Sequence, residues 1–143
     1  MATRIEREEQ LIGQYFPGFR IQSPDDPAYA GVIGRLLSSR NIQYTLWIPL
    51  GNFPNEAPKM YIVEPKSLKD SNGKLLSDYS ANGSMHLLSP DNNRHPQICH
   101  YNGRYWSPNV TLYKIIMKGR LWIEAYENHL ITGNNIDHYL KHM

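Results

Sequence analysis

Cys99 is the one cysteine in the chain, and it sits in Gln97-Ile98-Cys99-His100-Tyr101, seven residues before Trp106. A single thiol cannot close an intramolecular disulfide or build a multi-cysteine zinc site. It is therefore either a small buried side chain or a nucleophile. As a nucleophile its chemistry is acyl transfer: the sulfur takes an acyl group as a thioester, which an amine then attacks. At an unperturbed pKa near 8.5, about 3 % of such a thiol is ionised at pH 7, enough for exchange between groups already activated. His100 is adjacent, but in an extended segment neighbouring side chains face opposite ways, so Gln97 and Tyr101 are better placed beside the sulfur. His86, His95, Cys99 and His100 could in principle ligate zinc, yet their spacing matches no zinc helix or knuckle, and no metal or other cofactor is expected. A cysteine hydrolase is the poorer reading, because no nucleophile at a helix N-terminus with a distant histidine is evident.

The elements that must position this thiol are legible in outline. The 143 residues fit one domain, 1–143, with a core large enough to need no metal or disulfide. Fifteen Lys and Arg against thirteen Asp and Glu give no electrostatic reason to expect nucleic acid or an anionic membrane as partner. Apolar runs such as Leu46-Trp47-Ile48-Pro49-Leu50 are too short to span a bilayer. Met1 to Gln10 carry charge without an apolar stretch, so no secretory signal is expected, and a cytoplasmic location follows.

Thr3-Arg4-Ile5-Glu6 fits a capping box opening a helix whose face carries Ile5, Leu11, Ile12 and Tyr15-Phe16, stopped by Pro17-Gly18. Four strand candidates follow: Phe19 to Gln22, Ala30 to Leu37, Ile42 to Ile48 and Lys59 to Val63. In the third, Ile42, Tyr44 and Leu46 share a face. The turn Ser23-Pro24-Asp25-Asp26-Pro27 and other short links predict an antiparallel meander. Glu64 to Ser84 is polar and turn-rich, a long loop that is either functional or mobile. Ser107-Pro108 reads as an N-cap and first helical residue. The helix it opens buries Leu112, Ile115, Ile116, Ile123, Tyr126 and Leu130, with Gly119 on the same stripe for close backbone approach. Gly133 ends it, and a last helix from Asn135 carries Ile136, Tyr139, Leu140 and Met143. The class is α+β: an N-terminal helix, a four-stranded antiparallel meander and C-terminal helices.

Three stretches in this order resemble the ubiquitin-conjugating enzyme family. Phe53-Pro54-Asn55-Glu56-Ala57-Pro58-Lys59-Met60 is similar to its Tyr-Pro-x-x-x-Pro-Lys-Val segment, Ile98-Cys99 to its catalytic Ile-Cys, and Trp106-Ser107-Pro108-Asn109-Val110-Thr111-Leu112 to its Trp-Ser-Pro-x-x-Thr-Ile. The resemblance implies that fold, with Cys99 carrying a protein C-terminus as a thioester and passing it to an amine. It implies that His86 hydrogen-bonds backbone to shape the loop before the cysteine. The family's His-Pro-Asn is replaced by Met85-His86-Leu87-Leu88, with Leu88 where the oxyanion-stabilising Asn stands; Asn92 or Asn93 could supply that amide. These departures point to a divergent bacterial-type branch. The resemblance then implies an antiphage role in which the donor is a ubiquitin-like protein or the C-terminus of a cGAS-like nucleotidyltransferase, loaded by an activating enzyme that docks on the first helix. A catalytically silent binding module of the same fold is the alternative.

Overall fold

The computed structural model describes residues 2–23, 29–101 and 103–140. Helix α1 spans Arg4–Tyr15, and the Thr3 hydroxyl accepts the Glu6 N–H at 3.1 Å, which is the hydroxyl half of the expected box. Its inward face is not wholly apolar. Glu8 is buried beside Ile12 because its carboxylate accepts the Leu112 N–H at 2.8 Å and the Arg4 guanidinium at 3.0 Å. Tyr15, expected on the buried face, is exposed and packs at a tilt on Tyr113.

Strands β1 (Phe19–Gln22), β2 (Gly31–Leu37), β3 (Gln43–Pro49) and β4 (Tyr61–Glu64) form the antiparallel meander. The expected turn at Pro24 to Pro27 lies outside the described residues. Tyr44, Leu46 and Ile48 of β3 face the core, whereas Ile42 sits in the preceding turn and is exposed. The sheet has six strands, not four. Two further strands, β5 (Leu87–Leu88) and β6 (Gln97–Ile98), extend it in the order β1-β2-β3-β4-β6-β5. Two residues are too few to show a period of two, so the sequence pattern does not reveal these strands.

Helix α2 covers one face of the sheet as Leu112–Thr132. It starts four residues later than Pro108. Ser107 and Pro108 instead open a β-turn closed by the Val110 N–H on the Ser107 carbonyl at 3.0 Å, and the Thr111 hydroxyl caps the helix by accepting the Lys114 N–H at 3.2 Å. Proline suits the second position of such a turn as well as it suits a first helical turn. Leu112, Ile115, Ile116, Ile123 and Tyr126 are buried as expected, but Leu130 is exposed and His129 takes the inward place. A Cβ on Gly119 would lie 2.7 Å from Met60 Sδ and 3.1 Å from Leu46 Cδ1, so glycine lets the helix backbone settle onto the sheet. Gly133, at φ +78°, ends α2.

Beyond it the described chain makes one 3₁₀ turn, Ile136–His138, rather than an α-helix; Met143 lies outside the described residues. Ile136 is fully buried, but the Asp137 N–H points to the Ser84 carbonyl at 2.8 Å instead of up a helix. The long polar segment is anchored onto α2: Tyr126 donates to the Lys69 carbonyl at 2.6 Å, and His129 Nε2 accepts the Ser71 N–H at 3.0 Å. Among the described residues no helix is long and apolar enough to cross a membrane.

Candidate active site

The thiol is presented by a hairpin. β5 and β6 pair Leu87 with Ile98 and Leu88 with Gln97, while Met60 and Pro96 carbonyls tie β6 to β4 through the Ile98 and Ile62 amides. Cys99 follows directly, and its N–H donates to the His86 carbonyl at 2.8 Å. His86 is the last residue of a tight turn. Asn82 and Leu87 exchange backbone hydrogen bonds at 2.8 and 3.1 Å, and the Asn82 side chain accepts the Met85 N–H at 3.0 Å. The Trp122 indole donates to the Met85 carbonyl at 3.1 Å, fixing the turn to α2. His86 adopts a left-handed backbone at φ +50°.

The resemblance implies that the His86 ring bonds backbone; among the described residues its partner is instead a side chain. Its Nε2 lies 2.7 Å from Asp137 Oδ1, and it is the His86 carbonyl that meets the cysteine. The loop before Cys99 is thus shaped by a side-chain pair and a backbone acceptor together.

Cys99 itself is half-buried, and burial pushes its thiol pKa up from the usual range. Among the described residues no side chain hydrogen-bonds its sulfur. Ile98 and His100 are buried while Cys99 and Tyr101 are partly open, the alternation of an extended segment. His100 is therefore turned to the interior. Burial drives its pKa down to about 4 against the pull of the Ile98 carbonyl, 3.4 Å from Nδ1, and nearby Lys118 adds to the fall. The Pro58 backbone pulls it up as Ile98 does, although Nε2 makes no full hydrogen bond among the described residues. A neutral ring facing the core is no base for the sulfur.

Asn92 and Asn93 lie at the opposite end of the same hairpin. Asp91 gathers that end: its carboxylate accepts the Asn93 N–H at 3.0 Å and the His95 N–H at 2.8 Å, and contacts His95 Nδ1 at 2.8 Å. The two residue pairs of the hairpin, Leu87–Ile98 and Leu88–Gln97, lie between this turn and Cys99, at least about 7 Å of strand rise. The structure does not bring either asparagine to the thiol. Asn93, Arg94 and His95 instead border a cleft of about 450 Å³ with Lys66 and Ser67. The four groups weighed for zinc are likewise apart: His86 is engaged by Asp137, His95 by Asp91, and His100 faces inward. Among the described residues no three metal-binding side chains gather.

The chain leaving Cys99 is held by rings and one arginine. Tyr101 meets Trp106 edge to face at 5.3 Å, and the Lys118 ammonium lies 3.9 Å from the Tyr101 ring centre. Trp106 donates to the Pro54 carbonyl at 3.0 Å and packs on Phe53. Arg4 covers the Phe53 ring and donates to the Pro108 and Val110 carbonyls at 2.6 and 2.8 Å. The first helix, the Phe53-Pro54 segment and the post-cysteine segment therefore form one support, which explains why those separated motifs occur together. Asp137, Trp122 and Arg4 escaped the sequence reading as site-shaping residues. Their partners lie 51, 37 and more than 100 residues away, and no local spacing betrays them.

Comparison with family models, with curated proteins and with solved structures gives no match to this chain.

Proposed function

We propose that the protein is a conjugating enzyme of the ubiquitin type, with Cys99 as the thioester carrier. The observation that carries this reading is a half-buried thiol at the end of β6, with its amide fixed by the His86 carbonyl and, among the described residues, no base on its sulfur. A hydrolase must generate its nucleophile beside a histidine; a carrier receives an acyl group that is already activated. In the proposed cycle the Cys99 thiolate attacks the thioester carbonyl that joins the donor's C-terminus to its activating enzyme; the new thioester forms on Cys99 and the activating enzyme's thiolate leaves. A substrate amine then attacks the new thioester; the amide forms, Cys99 departs as thiolate, and the proton released by the amine returns the thiol. Burial pushes the Cys99 thiol pKa up and so lowers its thiolate fraction, which makes the step depend on a donor that arrives already activated.

The donor is a ubiquitin-like protein or the C-terminus of a cGAS-like nucleotidyltransferase, in antiphage defence within a bacterial cytoplasm, with an activating enzyme upstream. Neither Asn92 nor Asn93 serves as oxyanion donor in this scheme. The test is a pull-down of tagged protein expressed with its genomic neighbours, resolved on gels with and without thiol reductant. A partner-sized shift that reductant abolishes, that Cys99→Ala lacks and that Cys99→Ser makes reductant-resistant supports the carrier. A partner that co-purifies equally with wild type and Cys99→Ala, without any labile adduct, overturns it in favour of a silent binding module.

A further inference from the structure

We propose that Asp137, from the C-terminal 3₁₀ turn, is a positioning residue for Cys99 that acts through His86. The Cys99 amide has its acceptor, the His86 carbonyl at 2.8 Å, only while His86 keeps its left-handed backbone at φ +50°. That region is sterically poor for a residue with a Cβ, so the conformation must be held by its surroundings. Three ties hold it. The His86 N–H reaches the Gly83 carbonyl at 3.3 Å, a weak bond, and Trp122 grips the preceding Met85 carbonyl at 3.1 Å. Among the described residues, the Asp137 carboxylate is the group that grips the His86 side chain, at 2.7 Å.

Asp137 is itself fixed on both sides of that bond. Its N–H donates to the Ser84 carbonyl at 2.8 Å, and its neighbour Ile136 is fully buried in the core. One residue therefore clamps Ser84 and His86, two of the five positions of the turn. The His86 ring is only 13 % exposed, so water competes poorly for its nitrogen. The C-terminal turn thus reaches the thiol in two steps: carboxylate to imidazole, then carbonyl to the Cys99 amide. Because the role is to accept a hydrogen bond from Nε2, a neutral amide can replace the carboxylate; a proton-accepting His–Asp pair could not spare the charge.

The functional consequence rests on the carrier reading of Cys99, whereas the geometric one does not, and the experiment separates them. In purified wild type, Asp137→Ala and Asp137→Asn, amide hydrogen exchange is followed at Cys99 and Ile98, and thioester loading is measured with the donor found by the pull-down. Asp137→Ala is expected to speed Cys99 exchange about tenfold and to leave Ile98, bonded to Met60, within about twofold. Asp137→Asn is expected to keep both rates, and the loading rate, within about threefold of wild type, while Asp137→Ala loses about tenfold in loading. Unchanged Cys99 exchange in Asp137→Ala overturns the proposal. So does an Asp137→Asn variant as impaired as Asp137→Ala, which would make the charge the working part. If exchange responds as expected but wild type itself forms no thioester, the positioning stands and the carrier reading falls. Should Asp137→Ala fail to fold, His86→Ala cuts the same bond from its other side and must show the same rise at Cys99.

Discussion

The two faces of α2 are held by different physics. Toward the sheet, Ile115, Ile116 and Ile123 are buried in the core with almost no solvent exposure, and Gly119 admits Met60 and Leu46. Toward the 64–84 segment the helix offers Tyr126 and His129, which take one carbonyl and one amide. The segment organises itself around a single carboxylate: Asp70 accepts the Asn72 and Lys74 amides at 2.9 Å each and the Tyr79 hydroxyl at 2.6 Å. Apolar burial is non-directional and forgiving, so it makes the domain fold. Hydrogen bonds to a buried group are specific, so they make one loop conformation, at the risk of a large penalty when a partner is lost.

Trp122 stands on both sides of that divide, and its removal is the severest break. It is fully buried, stacks on Tyr126 at 5.3 Å between centroids, and its indole N–H holds Met85. Trp122→Ala should cost about 3–5 kcal/mol in urea unfolding. Trp122→Phe fills much of the same space without the N–H. If the turn before His86 depends on that donor, Trp122→Phe keeps most of the stability yet raises amide exchange across residues 82–86. Equal protection there in the two chains would assign the turn to packing alone.

Asp70 sharpens the contrast from the polar side. Burial pushes its carboxyl pKa up, but the Tyr79 hydroxyl and the Lys74 and Asn72 amides outweigh that and hold it below the usual carboxylate value of 3.8. A carboxylate with a depressed folded pKa contributes stability that is present above the unfolded value and is lost as pH falls through the folded one. Between pH 7 and 5 the segment should therefore be unaffected, and below about pH 4 it should loosen first. Tyr79 reports the same bond from the other end: burial, then Asp70, pushes its hydroxyl up to about 12. Asp70→Ala is expected to cost about 1–3 kcal/mol. Exchange should rise through residues 68–79 while β2 and β3 stay protected. Uniform loosening of the sheet would mean that the two faces unfold as one unit.

The same contrast governs what the sequence could reveal. β1 was legible to the residue, and the meander and Gly133 stop were legible because periodic apolar positions and turn residues are local signals. β5 and β6 were not, since they owe their existence to pairing with each other and with β4 rather than to their own pattern. The sequence singles out Cys99 and His86 as candidates, but not the geometry that joins them. The His86 ring found Asp137, 51 positions along the chain, and nothing in either neighbourhood encodes that meeting. Asn92 and Asn93 looked close to Cys99 by counting residues. The hairpin turns that closeness in sequence into separation in space, because positions before a strand's start lie at its other end.

The smallest effect tests where the apolar face begins. Two residues compete as the cap of α2. The Ser107 hydroxyl accepts the Asn109 N–H at 3.2 Å inside a turn, and the Thr111 hydroxyl accepts the Lys114 N–H at the same distance, at the first turn of the helix. An N-cap satisfies a donor that has no other partner, whereas a turn hydroxyl at an exposed position competes with water on nearly equal terms. Thr111→Ala should therefore lower unfolding free energy by about 1 kcal/mol, and Ser107→Ala by a few tenths at most. The ordering matters more than either value. Beside the Thr111 cap, Glu8 supplies the acceptor for the buried Leu112 N–H, so Glu8→Gln, which keeps an acceptor oxygen, should weaken the helix start less than Thr111→Ala does. If Ser107→Ala proves the more damaging of the two caps, the helix is seeded from the tryptophan-serine-proline turn, and the support around Cys99 and the core of α2 form one cooperative unit instead of two.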